Sequence, residues 1–238
     1  MKEFSSKYIF FFSVVMVIIV AVFLSLAATL LQPRQTKNIE IDKKKGMLES
    51  IGVSSVPQTT EELYDKHVTG SFVITNNGEE VPGVDAFNID VRAEQRKPLE
   101  QQYLPVFNAQ TDNGEQLIIL PLQGKGLWGP IWGYISIESD MNTIFGATFD
   151  HKGETPGLGA EINTPDFEVM FQGKKLYENN EFVSIGVLKG GARDDDPHNV
   201  DAISGGTITS KGLQKMLLEG IGKYNKFLTV NKSENKDE

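Results

Sequence analysis

The chain has 238 residues, of which 39% are hydrophobic, and it carries a formal net charge of −9. This length allows one domain of ordinary size together with a membrane segment, and the acidic balance argues against nucleic-acid binding, which usually requires a basic face. Because the chain contains no cysteine, disulfides, thiolate nucleophiles, cysteine-ligated iron–sulfur clusters and thiolate zinc sites are excluded. Any redox chemistry must therefore use a bound cofactor of another kind.

A run of uncharged, mostly apolar residues extends from Tyr8 to Leu31. As a helix it is long enough to cross a hydrocarbon core of roughly 30 Å, so we predict one transmembrane helix over residues 8–31 after a cytoplasmic N-terminus at residues 1–7. A cleaved signal peptide is the alternative, although the run exceeds the usual apolar length of such peptides. More lysine and arginine follows the run than precedes it, and a simple positive-inside count would place the rest of the chain in the cytoplasm.

Residues 32–70 are expected to form membrane-proximal helices and a connector, and residues 71–230 a domain whose first part is mostly sheet. In several segments apolar residues alternate with polar ones or form short runs bounded by turn residues. The predicted strands cover residues 72–75, 87–91, 117–122, 131–137, 144–149 and 183–187. Thr164 and Pro165 predict the start of a short amphipathic helix. The charged tail, residues 231–238, is expected to be loose.

A glycine-rich stretch joins two of the predicted strands. Residues 124–129 match the letters of the dinucleotide-binding pattern G-x-G-x-x-G, but that pattern requires a helix after its third glycine. Here Pro130 follows and the alternation of a strand resumes, so we interpret the stretch as a turn between strands that does not bind NADH. Trp128 in this turn either packs on the sheet or stays exposed as part of a binding surface.

Two further stretches are candidates for a functional site. Residues 154–159 read Glu-Thr-Pro-Gly-Leu-Gly, which predicts an irregular loop, and a plain connector is the simplest interpretation. Residues 201–210 concentrate hydroxyls and glycines before an apolar helical spacing. The residues of that spacing are Leu213, Met216, Leu217, Ile221 and Tyr224. Ser210 is the predicted N-cap of the helix, with Thr209 just before it. The turn is therefore either a structural cap or a phosphate site, since helix N-termini bind anions.

No metal site is predicted from the acidic residues or the histidines. The three histidines, His67, His151 and His198, are not connected by any ligand spacing. The run Asp194 to Asp196 resembles a fragment of a calcium loop, but the rest of the twelve-residue ligand pattern is missing. The run therefore favours a solvated loop.

The hydroxyl-rich stretch resembles the motif of a known family. Residues 204–209, Ser-Gly-Gly-Thr-Ile-Thr, with Asp201 upstream, resemble the flavinylation motif of the covalent FMN-binding domains. In these domains a flavin transferase esterifies the threonine of the motif with the phosphate of FMN. The matching position is Thr207. Where the family usually has alanine, this chain has Gly206, and the smaller residue offers no steric block.

The loop at residues 154–159 resembles the second hallmark of the same domains, which lies against the flavin. The turn at residues 126–129 is also similar in composition to a turn of that family. The resemblance implies FMN as the cofactor, attached covalently to Thr207. The other implied cofactor-binding residues are Ser204, Gly205, Gly206, Glu154, Thr155, Leu158, Gly159 and Lys189. No catalytic residue is implied, because the isoalloxazine does the redox work.

Both motifs occur in the order found in the C subunits of bacterial Na⁺-translocating NADH:quinone reductases, and the resemblance extends over nearly the whole chain. Two alternatives stay open. One is the related G subunit of the ion-translocating ferredoxin:NAD⁺ oxidoreductase, and the other is a membrane-anchored binding or assembly module without a redox role. The C-subunit resemblance implies an α+β fold with an antiparallel twisted sheet, flanking helices and the flavin at one end of the sheet.

The same resemblance implies a place in a membrane complex. Electrons would pass through the FMN between redox centres of neighbouring membrane and flavin or iron–sulfur subunits, with NADH and quinone bound elsewhere. A flavin transferase would attach the cofactor. The resemblance places the soluble domain on the outer, periplasmic face of the bacterial inner membrane. We follow it against the positive-inside count, because long domains translocate largely regardless of nearby charge.

Overall fold

The computed structural model describes residues 5–193 and 195–234, with side chains through Lys232. The chain divides into two compact units, Met1–Lys43 and Lys44–Glu238. The second unit thus includes residues that precede position 71, where we expect the FMN-binding domain to begin. The finer division into connector, domain and tail stays a prediction.

The first helix, α1 (Ser6–Ser50), is 45 residues long. Over residues 8–31 its side chains are mostly apolar and almost all exposed, and it is the one helix in the described part of the chain with the length and composition to cross a membrane. Pro33 lies inside it, although proline cannot donate the backbone hydrogen bond of a helix. The helix expected after residue 32 is therefore not a separate element. The last turn of α1 belongs to the second unit, where Met47 and Leu48 are buried.

The second unit is built on a five-stranded antiparallel sheet in which each strand pairs with its neighbours in sequence. The strands are β1 (Val68–Ile74), β2 (Leu104–Gln110), β3 (Gln116–Lys125), β4 (Pro130–Glu138) and β5 (Ile144–His151). The strands predicted at residues 72–75, 117–122, 131–137 and 144–149 are confirmed. Strand β2 was missed by the sequence patterns.

Both faces of this sheet are covered. Alternate residues of β3 enter two apolar clusters: Ile118 and Leu120 pack with the helices near the C-terminus, whereas Leu117 and Ile119 pack in the cluster that contains Met47. Since successive side chains of a strand point to opposite faces, a strand covered on both sides needs apolar residues at every position. This explains why residues 117–122 form a continuous apolar run.

The remaining elements surround the sheet. The helices are α2 (Thr60–His67), α3 (Val91–Glu94), α4 (Pro165–Glu168), α5 (Thr207–Gly222) and α6 (Asn225–Glu234), with 3-10 turns at Ala86–Asn88, Leu99–Gln101, Gly159–Asn163 and Val169–Phe171. Short strands form two further pairs, β6 (Tyr177–Glu178) with β7 (Glu181–Phe182), antiparallel, and β8 (Gly186–Leu188) with β9 (Asn199–Asp201), parallel. The predicted α+β class with an antiparallel sheet is confirmed.

The predicted strand at residues 87–91 is wrong. The segment forms the 3-10 turn Ala86–Asn88 and the start of α3 instead. The carboxylates of Asp85 and Asp90 each accept hydrogen bonds from backbone N–H groups two or three residues ahead. Such local bonds offer the backbone an alternative to a sheet ladder, and the alternation of apolar residues does not reveal them.

Two expectations for the last third of the chain also differ from the structure. The strand predicted at residues 183–187 is interrupted at Ser184, which has a φ of 61° and donates its backbone N–H to the carbonyl of Leu176. Only its second half enters β8. In the tail, α6 includes residues 231–234, which were expected to be loose, while residues 235–238 lie outside the described residues.

Candidate functional site

The turn between β3 and β4 lies at one end of the sheet. The backbone N–H of Gly126 donates to the carbonyl of Gly129 at 2.8 Å, and strands precede and follow the turn. The prediction of strand, turn and strand is therefore confirmed. The Trp128 side chain is 69% exposed, and its indole N–H donates to Oγ1 of Thr155 at 3.2 Å. This tryptophan does not pack on the sheet, and its indole contacts the loop at residues 154–159 instead.

The loop at residues 154–159 contains a tight turn. The backbone N–H of Leu158 donates at 3.1 Å to the carbonyl that precedes Pro156, and Gly157 has a φ of 74°. Proline followed by a glycine of positive φ is typical of a type II turn. The Leu158 side chain remains 41% exposed, and a Cβ added to Gly205 would lie 2.5 Å from its Cδ2. The loop thus packs against the hydroxyl motif.

The hydroxyl motif leads into α5, but not with the predicted cap. The helix begins at Thr207 with Gly206 as its N-cap, so the prediction of Ser210 as N-cap is wrong, and Thr209 lies within the first turn rather than before the helix. The Ser210 hydroxyl accepts a hydrogen bond from the backbone N–H of Ile203 at 3.1 Å. Serine is generally a good N-cap. In this structure Ser210 lies within the helix, and its hydroxyl holds the backbone of Ile203, which precedes the helix. The general preference of serine for the N-cap position does not predict this arrangement.

The four hydroxyls of the motif differ in their surroundings. Thr209 and Ser210 are each 1% exposed, and both hydroxyls are hydrogen-bonded within the protein. Ser204 is exposed and lies before the helix, whereas Thr207 is half-buried at the first helical position. The first amides of a helix have no acceptor within it and form the positive end of its dipole. Thr207 is therefore the hydroxyl at the position that favours an anion.

Glu154 is the residue where turn, loop and helix meet. It is 5% exposed. Its Oε1 accepts the backbone N–H of Trp128 at 2.9 Å, and its Oε2 accepts the hydroxyl of Thr209 at 2.6 Å. Its own backbone N–H donates to Nδ1 of His151 at 3.1 Å. The side chain thus connects three segments that are distant in sequence.

The pKa of Glu154 is lowered from its ordinary value. Burial acts to raise this pKa, but the hydrogen bond from the Thr209 hydroxyl and those from the backbone of Trp128, Leu127 and Gly129 together outweigh it. The carboxylate therefore stays ionised at neutral pH. An ionised carboxylate only accepts hydrogen bonds, which matches the donors around it.

Two glycines allow the backbone to approach this carboxylate closely. A Cβ added to Gly126 would lie 2.5 Å from Oε1 of Glu154. A Cβ added to Gly159 would lie 2.7 Å from Oε2 and would also collide with the Thr209 hydroxyl. Any larger residue at either position would displace the carboxylate, so the absence of a side chain is what permits the contact.

Lys189 directly follows β8, one strand of the short parallel pair. Strands β8 and β9 end on the same side, and the backbone N–H of Ala202 donates to the carbonyl of Leu188 at 2.9 Å. The Asp201 carboxylate accepts the backbone N–H of Ala192 at 2.6 Å, which folds the loop after Lys189 back onto the start of the motif. The Lys189 side chain itself is exposed.

The acidic loop near residue 195 makes protein contacts. Asp194 lies outside the described residues. The Asp196 carboxylate accepts hydrogen bonds from the backbone N–H of His198 at 2.9 Å and from the side chain of Asn199. These bonds lower the pKa of Asp196 and fix the loop before β9.

The geometry can now be compared with known proteins. Residues 126–222 match the FMN-binding domain family, and this range contains the Trp128 turn, the loop at residues 154–159 and the hydroxyl motif. A crystal structure of the C subunit of Na(+)-translocating NADH-quinone reductase from Parabacteroides distasonis superposes with a TM-score of 0.77 at 45% identity, covering 84% of this chain and 97% of that one. The C subunit from Vibrio vulnificus is 33% identical over 213 residues, 83% of each chain. The C subunit from Haemophilus ducreyi is 31% identical over 233 residues, 89% of this chain and 90% of the relative.

The chain belongs to the family of C subunits of Na⁺-translocating NADH-quinone reductases. The resemblance found in the sequence is thereby confirmed. The three relatives carry the name of the C subunit rather than of the G subunit of the ferredoxin enzyme. Membership also agrees with the chain order of helix, sheet and motif described above.

The residues at this end of the sheet are suited to FMN held through a phosphoester. The Thr207 hydroxyl lies at the N-terminus of α5, where free amides and the helix dipole favour a phosphate. Beside it, apolar surface remains exposed on Trp128, Leu158 and Ile208, and such surface suits a planar aromatic ring. Among the site residues implied by the resemblance, those of the loop at residues 154–159 and of the hydroxyl motif meet here, whereas Lys189 lies just after β8 of the short parallel strand pair. The contribution of Thr209 was missed because its partner Glu154 is 55 residues away.

Proposed function

We propose that this chain is the electron-carrying C subunit of a bacterial Na⁺-translocating NADH:quinone reductase and holds FMN through a phosphoester on Thr207. The observation that carries this proposal is the difference among the motif's four hydroxyls. Thr209 and Ser210 are buried and already hydrogen-bonded, and Ser204 precedes the helix. Thr207 combines partial exposure with the first position of α5.

The backbone before Thr207 supports its role. Gly205 has a φ of 74°, a conformation that glycine adopts without strain, and the chain turns there directly into the helix. At the next position the family usually has alanine. A Cβ added to Gly206 would lie 2.9 Å from Cγ2 of Ile203, so in this chain glycine is the residue that suits its neighbour.

When bound, FMN supplies one- and two-electron redox chemistry. The protein's residues hold it and shape its surroundings. We assign Thr207 to the phosphate, together with the backbone of residues 204–206, and we assign Thr155, Leu158 and Gly159 to the flavin side of the loop. We also assign Lys189, which is exposed and follows β8, to the cofactor site, where its positive charge would favour the anionic phosphate.

The remaining assignments concern the complex. With FMN bound, the chain would carry electrons between redox centres of neighbouring membrane and flavin or iron–sulfur subunits, with NADH and quinone bound by others. A flavin transferase attaches the cofactor, and the phosphoester keeps it from diffusing away. Helix α1 anchors the chain in the inner membrane by a single pass, with the domain on the periplasmic face. The relatives' names, as subunits of one reductase, support the existence of partner subunits.

Coexpression of the full chain with a flavin transferase tests the attachment. The wild-type protein should be yellow and give a fluorescent band in a denaturing gel. Thr207→Ala should abolish the fluorescent band, because the hydroxyls that remain in the first turn of α5, those of Thr209 and Ser210, are buried and already hydrogen-bonded. Ser204→Ala is the matched control, since it removes one hydroxyl three residues earlier and should keep the band. Peptide mass spectrometry then locates the added mass.

The other outcomes are informative. FMN mass on Ser204 or Thr209, or a fluorescent Thr207→Ala protein, would refute the assignment to Thr207. A colourless, folded wild-type protein would favour the non-redox binding or assembly module.

A further inference from the structure

We propose that Glu154 is a positioning residue: its carboxylate locks the Trp128 turn to the first turn of α5 and so gives the surface beside Thr207 one fixed shape. This inference rests on the proposed attachment of FMN to Thr207. It places Glu154 behind the flavin surface, holding it in place, rather than in contact with the ring.

The hydrogen bonds of Glu154 argue against a direct flavin contact. Both carboxylate oxygens already accept, one from the backbone of Trp128 at 2.9 Å and one from the Thr209 hydroxyl at 2.6 Å. The residue is 5% exposed. A side chain that faced the flavin would need an oxygen directed outward, whereas these oxygens are directed toward the turn and the helix.

The position of Thr209 in the helix explains how the bond orients Thr207. Successive residues of an α-helix are separated by about 100°, so residues two apart point in roughly opposite directions. Thr209 is buried toward Glu154, so the half-buried Thr207 side chain lies on roughly the opposite side of the helix. Holding the Thr209 hydroxyl on the carboxylate fixes the rotation of the first turn and, with it, the direction of the Thr207 hydroxyl.

The packing around the carboxylate makes this connection rigid. Gly126 and Gly159 approach it so closely that an added Cβ would lie 2.5 Å and 2.7 Å from its oxygens, respectively. The backbone thus packs against both oxygens, and removing the carboxylate would leave the Trp128 amide and the Thr209 hydroxyl without their acceptor. A hydrogen bond to a charged group contributes more than a neutral one, so the turn and the first turn of α5 would then be held to each other less firmly.

The first experiment uses the full chain in detergent without FMN and measures amide hydrogen exchange at Trp128. Thr209→Val removes the hydroxyl at nearly constant volume, on the far side of the carboxylate from Trp128. If the carboxylate of Glu154 couples Thr209 to the Trp128 turn, the Trp128 amide should exchange about tenfold faster in Thr209→Val than in the wild type. It should exchange at least as fast in Glu154→Ala. Thr209→Ser, which keeps the hydroxyl, should restore slow exchange.

The second experiment loads the same variants with FMN and measures its fluorescence anisotropy decay. All of them retain Thr207, so all should carry covalent FMN. Glu154→Ala and Thr209→Val should each add fast local motion of the flavin, and the double variant should add no more than either single one, because the two residues act through one bond. Glu154→Gln should stay close to wild type, since its amide oxygen can accept from Trp128 and its NH₂ group can donate to the Thr209 hydroxyl.

Asp166→Asn, which changes an exposed carboxylate on α4, is the control and should alter neither measurement. The inference would be overturned if the Trp128 amide of Thr209→Val exchanged at the wild-type rate, or if the flavin of Thr209→Val were as immobile as that of the wild type. Because both outcomes are measured in Thr209→Val, the test does not depend on whether Glu154→Ala folds. A wild-type chain that takes up no covalent FMN would refute the proposed function, while the exchange experiment would still decide whether Glu154 couples the turn to the helix.

Discussion

Gly212 and Gly222 lie on the same helix, and the same substitution should have opposite effects at the two positions. Gly212 is where α5 crosses the end of β3: an added Cβ would collide with the carbonyl oxygen of Lys125 and lie 3.2 Å from its carbon. Gly222 is the last residue of α5, and its added Cβ would meet only the ring edge of Phe182, at 3.4 Å. We therefore compare Gly212→Ala with Gly222→Ala.

The expected magnitudes follow from two opposing effects. Alanine stabilises a helix by up to about 1 kcal/mol relative to glycine, and this gain applies at both sites. Overpacking a close contact costs about 1–3 kcal/mol, and at Gly212 the obstacle is backbone that cannot rotate away. Gly212→Ala should thus lower the free energy of unfolding by up to roughly 2 kcal/mol, once the gain in helix propensity is subtracted from the cost of overpacking. Gly222→Ala should leave it unchanged or raise it by up to about 1 kcal/mol.

Urea unfolding of the full chain in detergent, followed by the fluorescence of its two tryptophans, measures both values. Loading with FMN adds a second readout, because a displaced α5 would move Thr207 away from the loop that contains Leu158. A Gly212→Ala protein as stable as Gly222→Ala would refute the reasoning. It would show that α5 can shift along β3 at little cost.

The remaining predictions concern pH dependence and topology. Burial raises the pKa of Glu168 from 4.5 to about 7, against the lowering effect of hydrogen bonds from the backbone of Phe149 and the hydroxyl of Thr148. Because the folded state binds a proton on Glu168 more tightly than the unfolded state does, stability should fall as the pH rises from 4.5 to about 7. Glu168→Gln keeps an acceptor oxygen but cannot ionise, so its thermal unfolding midpoint should depend less on pH over this range. A pH dependence as steep as that of the wild type would show that Glu168 does not cause it. Protease added to right-side-out spheroplasts should digest the domain after α1, and digestion only in inverted vesicles would place that domain in the cytoplasm.

Strands of the sheet could be predicted where the sequence features that determine them lie within a few residues of one another. Strands β3 and β4 were found because apolar patterns flank a glycine turn within a few residues. Residues 87–91 alternate apolar and polar residues, as a half-buried strand does, but form a turn and a short helix, because the carboxylates of Asp85 and Asp90 accept hydrogen bonds from the backbone N–H groups ahead of them. Alternation therefore does not by itself indicate a strand where such polar bonds compete with the sheet.

The contacts of the candidate site could be predicted from the sequence even less completely than the sheet. The resemblance pointed to the loop at residues 154–159 and to Thr207, and the structure brings their segments together. The sequence did not indicate that Glu154 would be buried under Thr209, because a hydrogen bond between residues 55 positions apart leaves no periodic trace. It also favoured Ser210 over Gly206 as the cap, since local preference cannot show that the serine hydroxyl is already bonded to the chain before the helix.

The sequential order of β1 to β5 has a consequence for the kinetics of folding. Every strand pairs with the one made just before it, and the connections from β2 to β5 are short, so this part of the sheet can assemble from successive hairpins. The longer segment at residues 75–103 joins β1 to β2. Helix α5 begins only at residue 207, and it leaves the ribosome after all five strands. The Glu154 carboxylate is therefore synthesised before the Thr209 hydroxyl, and the hydrogen bond between them can form only after α5 has been made. If FMN is attached at Thr207 as proposed, attachment is a late modification, and translation that stalls before α5 yields a chain with no attachment point.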